Sequence, residues 1–133
     1  MRLVIVLFIF ITGISCEPTS IHFGMDTYCQ LYSTWCVTLK VIELNIFFPN
    51  TAVVTSGPKC LDHRGSIILN TNGEISGDGW FDNRYEFMGQ VIHNCTRNGE
   101  DMMFHHRLGY YPDHLKEIKR KFRVKLNENG IIQ

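Results

Sequence analysis

The stretch GQVIHNCT, Gly89 to Thr96, decides how this chain is read. In extended backbone, successive side chains point to opposite faces. Val91, His93 and Cys95 then share one face, and Gln90, Ile92, Asn94 and Thr96 the other. Asn94-Cys95-Thr96 is an N-x-T acceptor sequence, and a glycan on Asn94 must project into solvent. A strand here therefore sends Cys95 inward, where a disulfide can join the core, and packs His93 beside it as a hydrogen-bonded side chain. The catalytic alternative fails: a cysteine in a secreted chain with an even cysteine set is expected to be oxidised, which removes the thiolate a nucleophile needs. A lone histidine likewise lacks the further ligands of a metal site.

The secreted context comes from the other end of the chain. MRLVIVLFIFITGISC carries one base at Arg2, an apolar run from Leu3 to Ile11 and small residues at Thr12, Gly13 and Ser15. That is the layout of a signal peptide over residues 1–16, with Ser15 and Cys16 both allowed cleavage points. A membrane span needs about 20 apolar residues, and this run ends short of that at Glu17-Pro18. Loss of Cys16 leaves Cys29, Cys36, Cys60 and Cys95, a set for two disulfides with three pairings open. Retention of Cys16 leaves one thiol over, able to bridge two chains, so self-association stays open. Residues 17–133 fit one domain with a core small enough to gain from disulfides.

The 13 bases and 13 acids balance. Neutrality argues against general nucleic-acid binding. The charge is uneven, however: His114 to Gln133 holds six bases, Lys116, Lys119, Arg120, Lys121, Arg123 and Lys125, against two acids. This tail is either a solvated face or a grip for an anionic surface, lipid or polyanion.

Between the ends, β-branched and aromatic runs alternate with turn residues. Cys36 to Phe48 (CVTLKVIELNIFF) reads as a central strand with both faces filled. Thr51 to Thr55 and Ser66 to Leu69 read as short strands, stopped at Ser56-Gly57-Pro58 and at Asn70-Thr71-Asn72-Gly73. Tyr85 to Cys95 and Met102 to Leu108 follow. Glu17 to Ser33 reads as a polar, irregular lead-in. Near the C-terminus a short helix from His114 to about Arg120, capped by Asp113, precedes a terminal strand in which Phe122, Val124 and Leu126 alternate with bases. These elements predict an all-β sandwich, disulfide-stabilised.

Other chemistry-bearing residues have a plain alternative. His105-His106 with His114, helped by Asp113 or His63, is the best metal candidate, but paired histidines on a strand divide between two faces. Asp78, Asp82 and Glu86 lack the spacing of a calcium loop. Asp62, Glu74, Asp82 and Glu86 have nothing that fixes two of them at a catalytic separation. Trp80-Phe81 and Tyr85-Phe87 suit the core better than a ligand patch. No cofactor and no metal is expected.

From Asp62 onward the chain resembles the nematode transthyretin-like family of secreted proteins. DHRGSIIL, Asp62 to Leu69, is similar to its D-x-x-G-x-F-x-L turn and strand, with Ile67 in the aromatic place. QVIHNC is similar to its I-x-H-x-C strand, and Tyr111-Pro112-Asp113 with KFRVKL to its closing section. The family's G-x-L-x-C-x-G-K-P opening motif is absent, and so is the cysteine that usually follows the I-x-H-x-C strand. The resemblance implies a secreted transthyretin-like β-sandwich that acts by binding.

The function expected is therefore a secreted, extracellular binding protein, not an enzyme, engaging a cell-surface protein or other surface molecule, a lipid or a small hydrophobic ligand. Two rivals remain. One is a small metal-assisted hydrolase using His63, His93, His105, His106 and His114. The other is a membrane- or polyanion-binding effector acting through the basic tail.

Overall fold

The computed structural model describes residues 17–45, 49–76 and 83–127, and the backbone of 130–132. The signal segment, Ile46 to Phe48, Asp78, Trp80-Phe81 and Asp82 lie outside the described residues. Alternation carries much further along this chain than its turn residues suggest. The supposed lead-in is an eleven-residue strand, β1 (Thr19–Cys29), whose Ile21, Phe23, Met25, Thr27 and Cys29 are buried while His22, Asp26 and Tyr28 face outward. It is followed by β2 (Trp35–Glu43), β3 (Thr51–Leu61), β4 (Gly65–Ile75), β5 (Arg84–His93), β6 (Met102–Pro112), β7 (Glu117–Asn127) and β8 (Gly130–Ile132).

Two four-stranded sheets face one another. The first runs β4-β1-β7-β8 and the second β3-β2-β5-β6. All pairings are antiparallel except β1 with β7, which is parallel. The core between the sheets is built from the inward residues of both. Phe23 of β1 meets Phe87 of β5 edge to face at 5.3 Å, and Tyr85 stacks on Phe87 at 6.0 Å. The Tyr85-Phe87 pair is thus core, as expected.

Several boundaries differ from the sequence reading. β2 ends at Glu43, with Leu44 and Asn45 already outside it, rather than running on toward Phe48; β5 ends at His93 rather than Cys95; and β6 runs through Leu108 to Pro112. β3 does not stop at Ser56-Gly57-Pro58; a bulge between Val37 and Leu39 of β2 absorbs it, and Gly57 takes φ 103° there. A Cβ at Gly57 would stand 2.6 Å from the Val37 carbonyl oxygen, so the glycine serves a bulge rather than a turn. β4 does not stop at Asn70 to Gly73, because the polar groups are used across the sheet: Thr71 Oγ1 donates to the Phe23 carbonyl at 3.2 Å, and Asn72 Oδ1 meets His22 Nδ1 at 2.8 Å. The helix expected from His114 to Arg120 is absent. Asp113 and His114 form a turn. Thr19 Oγ1 then donates to the Leu115 carbonyl at 2.6 Å and Ser20 N to that of Lys116 at 2.9 Å, and β7 begins at Glu117. A helix this short is marginal by itself, so pairing with β1 prevails.

All four expected cysteines are paired. Cys29–Cys95 ties β1 to the segment after β5, and hence one sheet to the other, with both residues buried. Cys36–Cys60 joins directly opposed residues of β2 and β3 on the outer face of their sheet, with Cα atoms 4.0 Å apart. At the same end Trp35 Nε1 donates to the His63 carbonyl at 3.0 Å, holding the bend between β3 and β4. Among the described residues, no helix is long and apolar enough to cross a membrane.

Candidate functional site

Because β7 is extended, its bases divide by parity. Lys119, Lys121, Arg123 and Lys125 form one outward row on the β4-β1-β7 sheet, while Ile118, Val124 and Leu126 point inward. Strand register then sets what stands beside each base. The cross-strand rows read Asn72, His22, Lys119; Asn70, Gly24, Lys121; Ile68, Asp26, Arg123; and Ser66, Tyr28, Lys125. The other two bases lie elsewhere. Lys116 precedes β7 and reaches Glu17 at 3.4 Å. Arg120 is on the opposite side of the strand, where its Nη1 would lie 3.5 Å from a Cβ at Gly109 of β6.

The row is partly neutralised. Lys119 Nζ lies 2.7 Å from Glu117, whose carboxyl is held below its usual pKa by that bond, and Arg123 Nε donates to Asp26 Oδ2 at 3.0 Å. His22 Nε2 is 3.4 Å from Glu117 as well. Lys121 and Lys125 have no carboxylate partner among the described residues. Arg123 bonds Asp26 through Nε, which leaves the two Nη groups of its fork for an incoming anion.

A groove of about 560 Å³ opens in the middle of this face, lined chiefly by Gly24, Asp26, Ile68, Asn70, Lys121 and Arg123. Its floor is Gly24, which has no side chain between Asn70 and Lys121. A Cβ there would lie 3.1 Å from Lys121 Cγ and 3.2 Å from Asn70 Oδ1. Ile68, 58% exposed, provides an apolar wall. Such a site can hold an acidic group between Lys121 and Arg123, bond a polar group at Asn70 and cover apolar surface with Ile68. It offers no evident nucleophile or free general base, since Asp26 is engaged by Arg123.

The histidines do not converge. His63 sits on the β3–β4 bend, bonded to Asp62 at 2.6 Å, which draws the carboxyl pKa down. His105 faces outward to Gln90 at 3.2 Å, while His106 stacks on Phe122 at 4.9 Å. Burial, then the Arg120 charge, lowers the His106 pKa. His114 lies in the turn after β6, 3.9 Å from Asp113. His93 is in the core: its Nδ1 accepts from Cys95 N at 3.2 Å, and its buried Nε2 has no hydrogen-bond partner among the described residues. Among the described residues no three His, Cys, Asp or Glu side chains gather as a ligand set.

Asn94 is half-buried, with its Oδ1 accepting from Cys36 N at 2.6 Å. Thr96 differs from the strand reading. The chain turns after His93, so Thr96 is only 5% exposed rather than outward, and its Oγ1 donates to the Glu100 carbonyl at 2.9 Å. The sequence reading also missed Gly24, Asp26, Ile68 and Asn70 as groove residues, having placed two in a lead-in and one in a turn. Alternation of Ile21, Phe23, Met25 and Thr27 was the signal available for the first two.

The model of the family described as "Caenorhabditis elegans protein of unknown function (DUF870)" matches residues 24–132. An uncharacterized Caenorhabditis elegans protein is 29% identical over 91 residues, an overlap covering 66% of this chain and 64% of that protein. Neither description carries the transthyretin name. No solved structure matches.

Proposed function

We propose a function for this chain, which belongs to the Caenorhabditis elegans family of unknown function DUF870: it is a secreted, extracellular binding protein of transthyretin-like type that holds an acidic amphiphile on the outer face of the β4-β1-β7 sheet. The observation that carries this reading is the Gly24 groove, which brings Lys121, without a carboxylate partner among the described residues, and the Arg123 fork beside exposed Ile68. Its volume falls in the range of about 300–1,000 Å³ usual for small-ligand sites. Two disulfides in a small β domain agree with an oxidising compartment. The two-sheet layout agrees with the transthyretin-like resemblance.

The ligand class follows from the lining. An acidic head group pairs with Lys121 and Arg123, and an apolar tail lies on Ile68. A purely polyanionic partner would use the charges alone, yet Asp26 and Glu117 neutralise two bases of the row. The test is calorimetric titration with a long-chain fatty acid, its methyl ester and a sulfated oligosaccharide. We expect the acid to bind, the ester to bind more weakly, and Lys121→Glu to abolish the difference. Equal binding of acid and ester, or binding of the sulfated sugar alone with steep salt dependence, would overturn this ligand class.

A further inference from the structure

The acceptor sequence Asn94-Cys95-Thr96 is closed when the chain is folded. Asn94 N donates to the Cys36 carbonyl at 3.3 Å while its Oδ1 accepts from Cys36 N. Thr96 N donates to the Asn94 carbonyl at 2.8 Å and Gly99 N to that of Thr96 at 3.2 Å, so residues 94–99 form a tight turn. The Thr96 hydroxyl is spent on Glu100, and Cys95, 1% exposed, is bonded to Cys29 across 66 residues. Glycosyl transfer needs the Asn amide and the Thr hydroxyl together in a transferase site, and here the fold has claimed both. Yet the product would fit: Asn94 is only half-buried, it lies against Cys36 of the Cys36–Cys60 pair, and no bond engages its Nδ2 among the described residues.

We infer that Asn94 is glycosylated only before the Cys29–Cys95 disulfide closes, so that oxidation of Cys95 and glycosylation of Asn94 compete on the nascent chain. In the transfer, Asn94 Nδ2 forms a bond to the anomeric carbon of an oligosaccharide carried on a lipid pyrophosphate. The carbon–oxygen bond to the pyrophosphate breaks, the nitrogen loses one proton to a base of the transferase, and the lipid pyrophosphate leaves. In the competing step the Cys29 and Cys95 thiols lose two electrons and two protons to a disulfide oxidant of the compartment. Closing that disulfide draws Cys95 into the core and folds the 94–99 turn, which ends acceptance. A glycan already attached sits beside Cys36 of the β3-β2-β5-β6 sheet, whereas the Gly24 groove is on the β4-β1-β7 sheet, so it leaves the proposed ligand site open.

The inference rests on entry into the secretory pathway, and the experiment supplies that entry with a heterologous signal peptide on residues 17–133. Occupancy is read as an amidase-sensitive band shift in total cell protein, so that a variant retained in the cell still counts. Asn94→Gln identifies the band. Cys29→Ser leaves the acceptor sequence intact and should raise occupancy above that of the parent chain. The Cys36→Ser, Cys60→Ser double variant also loses a disulfide but leaves Cys95 able to close, and should not match that rise. Equal occupancy in parent and Cys29→Ser, including none or full in both, would overturn the competition. An equal rise in both disulfide variants would overturn it too, since slowed folding in general would then suffice. These outcomes do not depend on whether an acidic amphiphile binds.

Discussion

Acidification should destabilise this fold through His93, and the reason lies in two ring nitrogens. Nδ1 accepts from Cys95 N at 3.2 Å, so the neutral ring carries its proton on Nε2, which is buried without a partner among the described residues. Protonation would put a second donor on Nδ1, facing the Cys95 N–H donor, and would bury a charge among Val37, Met102 and Phe104. Burial accordingly lowers the His93 pKa from 6.5, the charge of Asp101 opposing it more weakly. The sign follows from linkage. Above pH 6.5 both states hold the ring neutral; below it the unfolded chain takes a proton that the folded chain refuses, so stability falls as pH falls from 6.5 to the folded pKa. One proton gives a slope of up to about 1.4 kcal/mol per pH unit. His106, lowered in the same direction, adds to the total, so the His93 share has to be read as a difference. His93→Asn keeps an acceptor near Nδ1 but leaves a void beside Phe104. It should cost about 1–3 kcal/mol at pH 7.5 and lose the one-proton slope. Urea denaturation of both proteins at steps from pH 7.5 to 5 measures this. Parallel stability curves below pH 6.5 would refute the reasoning.

Further outcomes follow from the same contacts. Replacing both cysteines of a pair should cost about 3.5 kcal/mol for Cys36–Cys60 and about 4.4 kcal/mol for Cys29–Cys95 from loop closure over separations of 24 and 66 residues, with packing loss added for the buried pair; urea titration should rank them so. Gly57→Ala meets the Val37 carbonyl oxygen and a positive φ, so thermal unfolding should report a loss of about 1–3 kcal/mol. Gly24→Val meets only side-chain atoms, Lys121 Cγ and Asn70 Oδ1, so the fold should survive while calorimetry shows fatty-acid binding lost.

What could be read in the sequence was the β class, the partner cysteines as a set, and the inward course of Val91, His93 and Cys95. Alternation is a local property, and those residues display it without interruption. Where tertiary context rules, local signals misled. Gly57 looks like a turn residue because it allows positive φ, but a bulge uses the same freedom. Asn70 and Asn72 look like turn residues because they are polar, yet an outward strand face accepts polar side chains equally well. The bases of KRKFRVK alternate as a strand and also suit a helix end; only the parallel partner β1, distant in sequence, decides. The groove was illegible for the same reason: Gly24, Asn70 and Lys121 become neighbours through register alone.

That register makes β1 the strand on which fold and proposed binding meet. Its inner side chains, Ile21, Phe23 and Met25, are fully or almost fully buried, and its last residue anchors the inter-sheet disulfide. Its outer residues His22, Gly24 and Asp26 stand between β4 and β7, where they set the spacing of the basic row. Substitutions on its two faces should therefore separate. An inner change such as Phe23→Ala removes a large side chain from the core and should cost about 3–5 kcal/mol, lowering ligand binding only through the folded fraction. Asp26→Asn instead releases Arg123 from its exposed ion pair, worth about 0–1 kcal/mol, and leaves the fold nearly as stable. It should strengthen fatty-acid binding, because the whole guanidinium then faces the acid. Weaker binding by Asp26→Asn at unchanged stability would mean that the carboxylate orients Arg123 more than it competes with the ligand, and the charge argument for the groove would fail at its central pair.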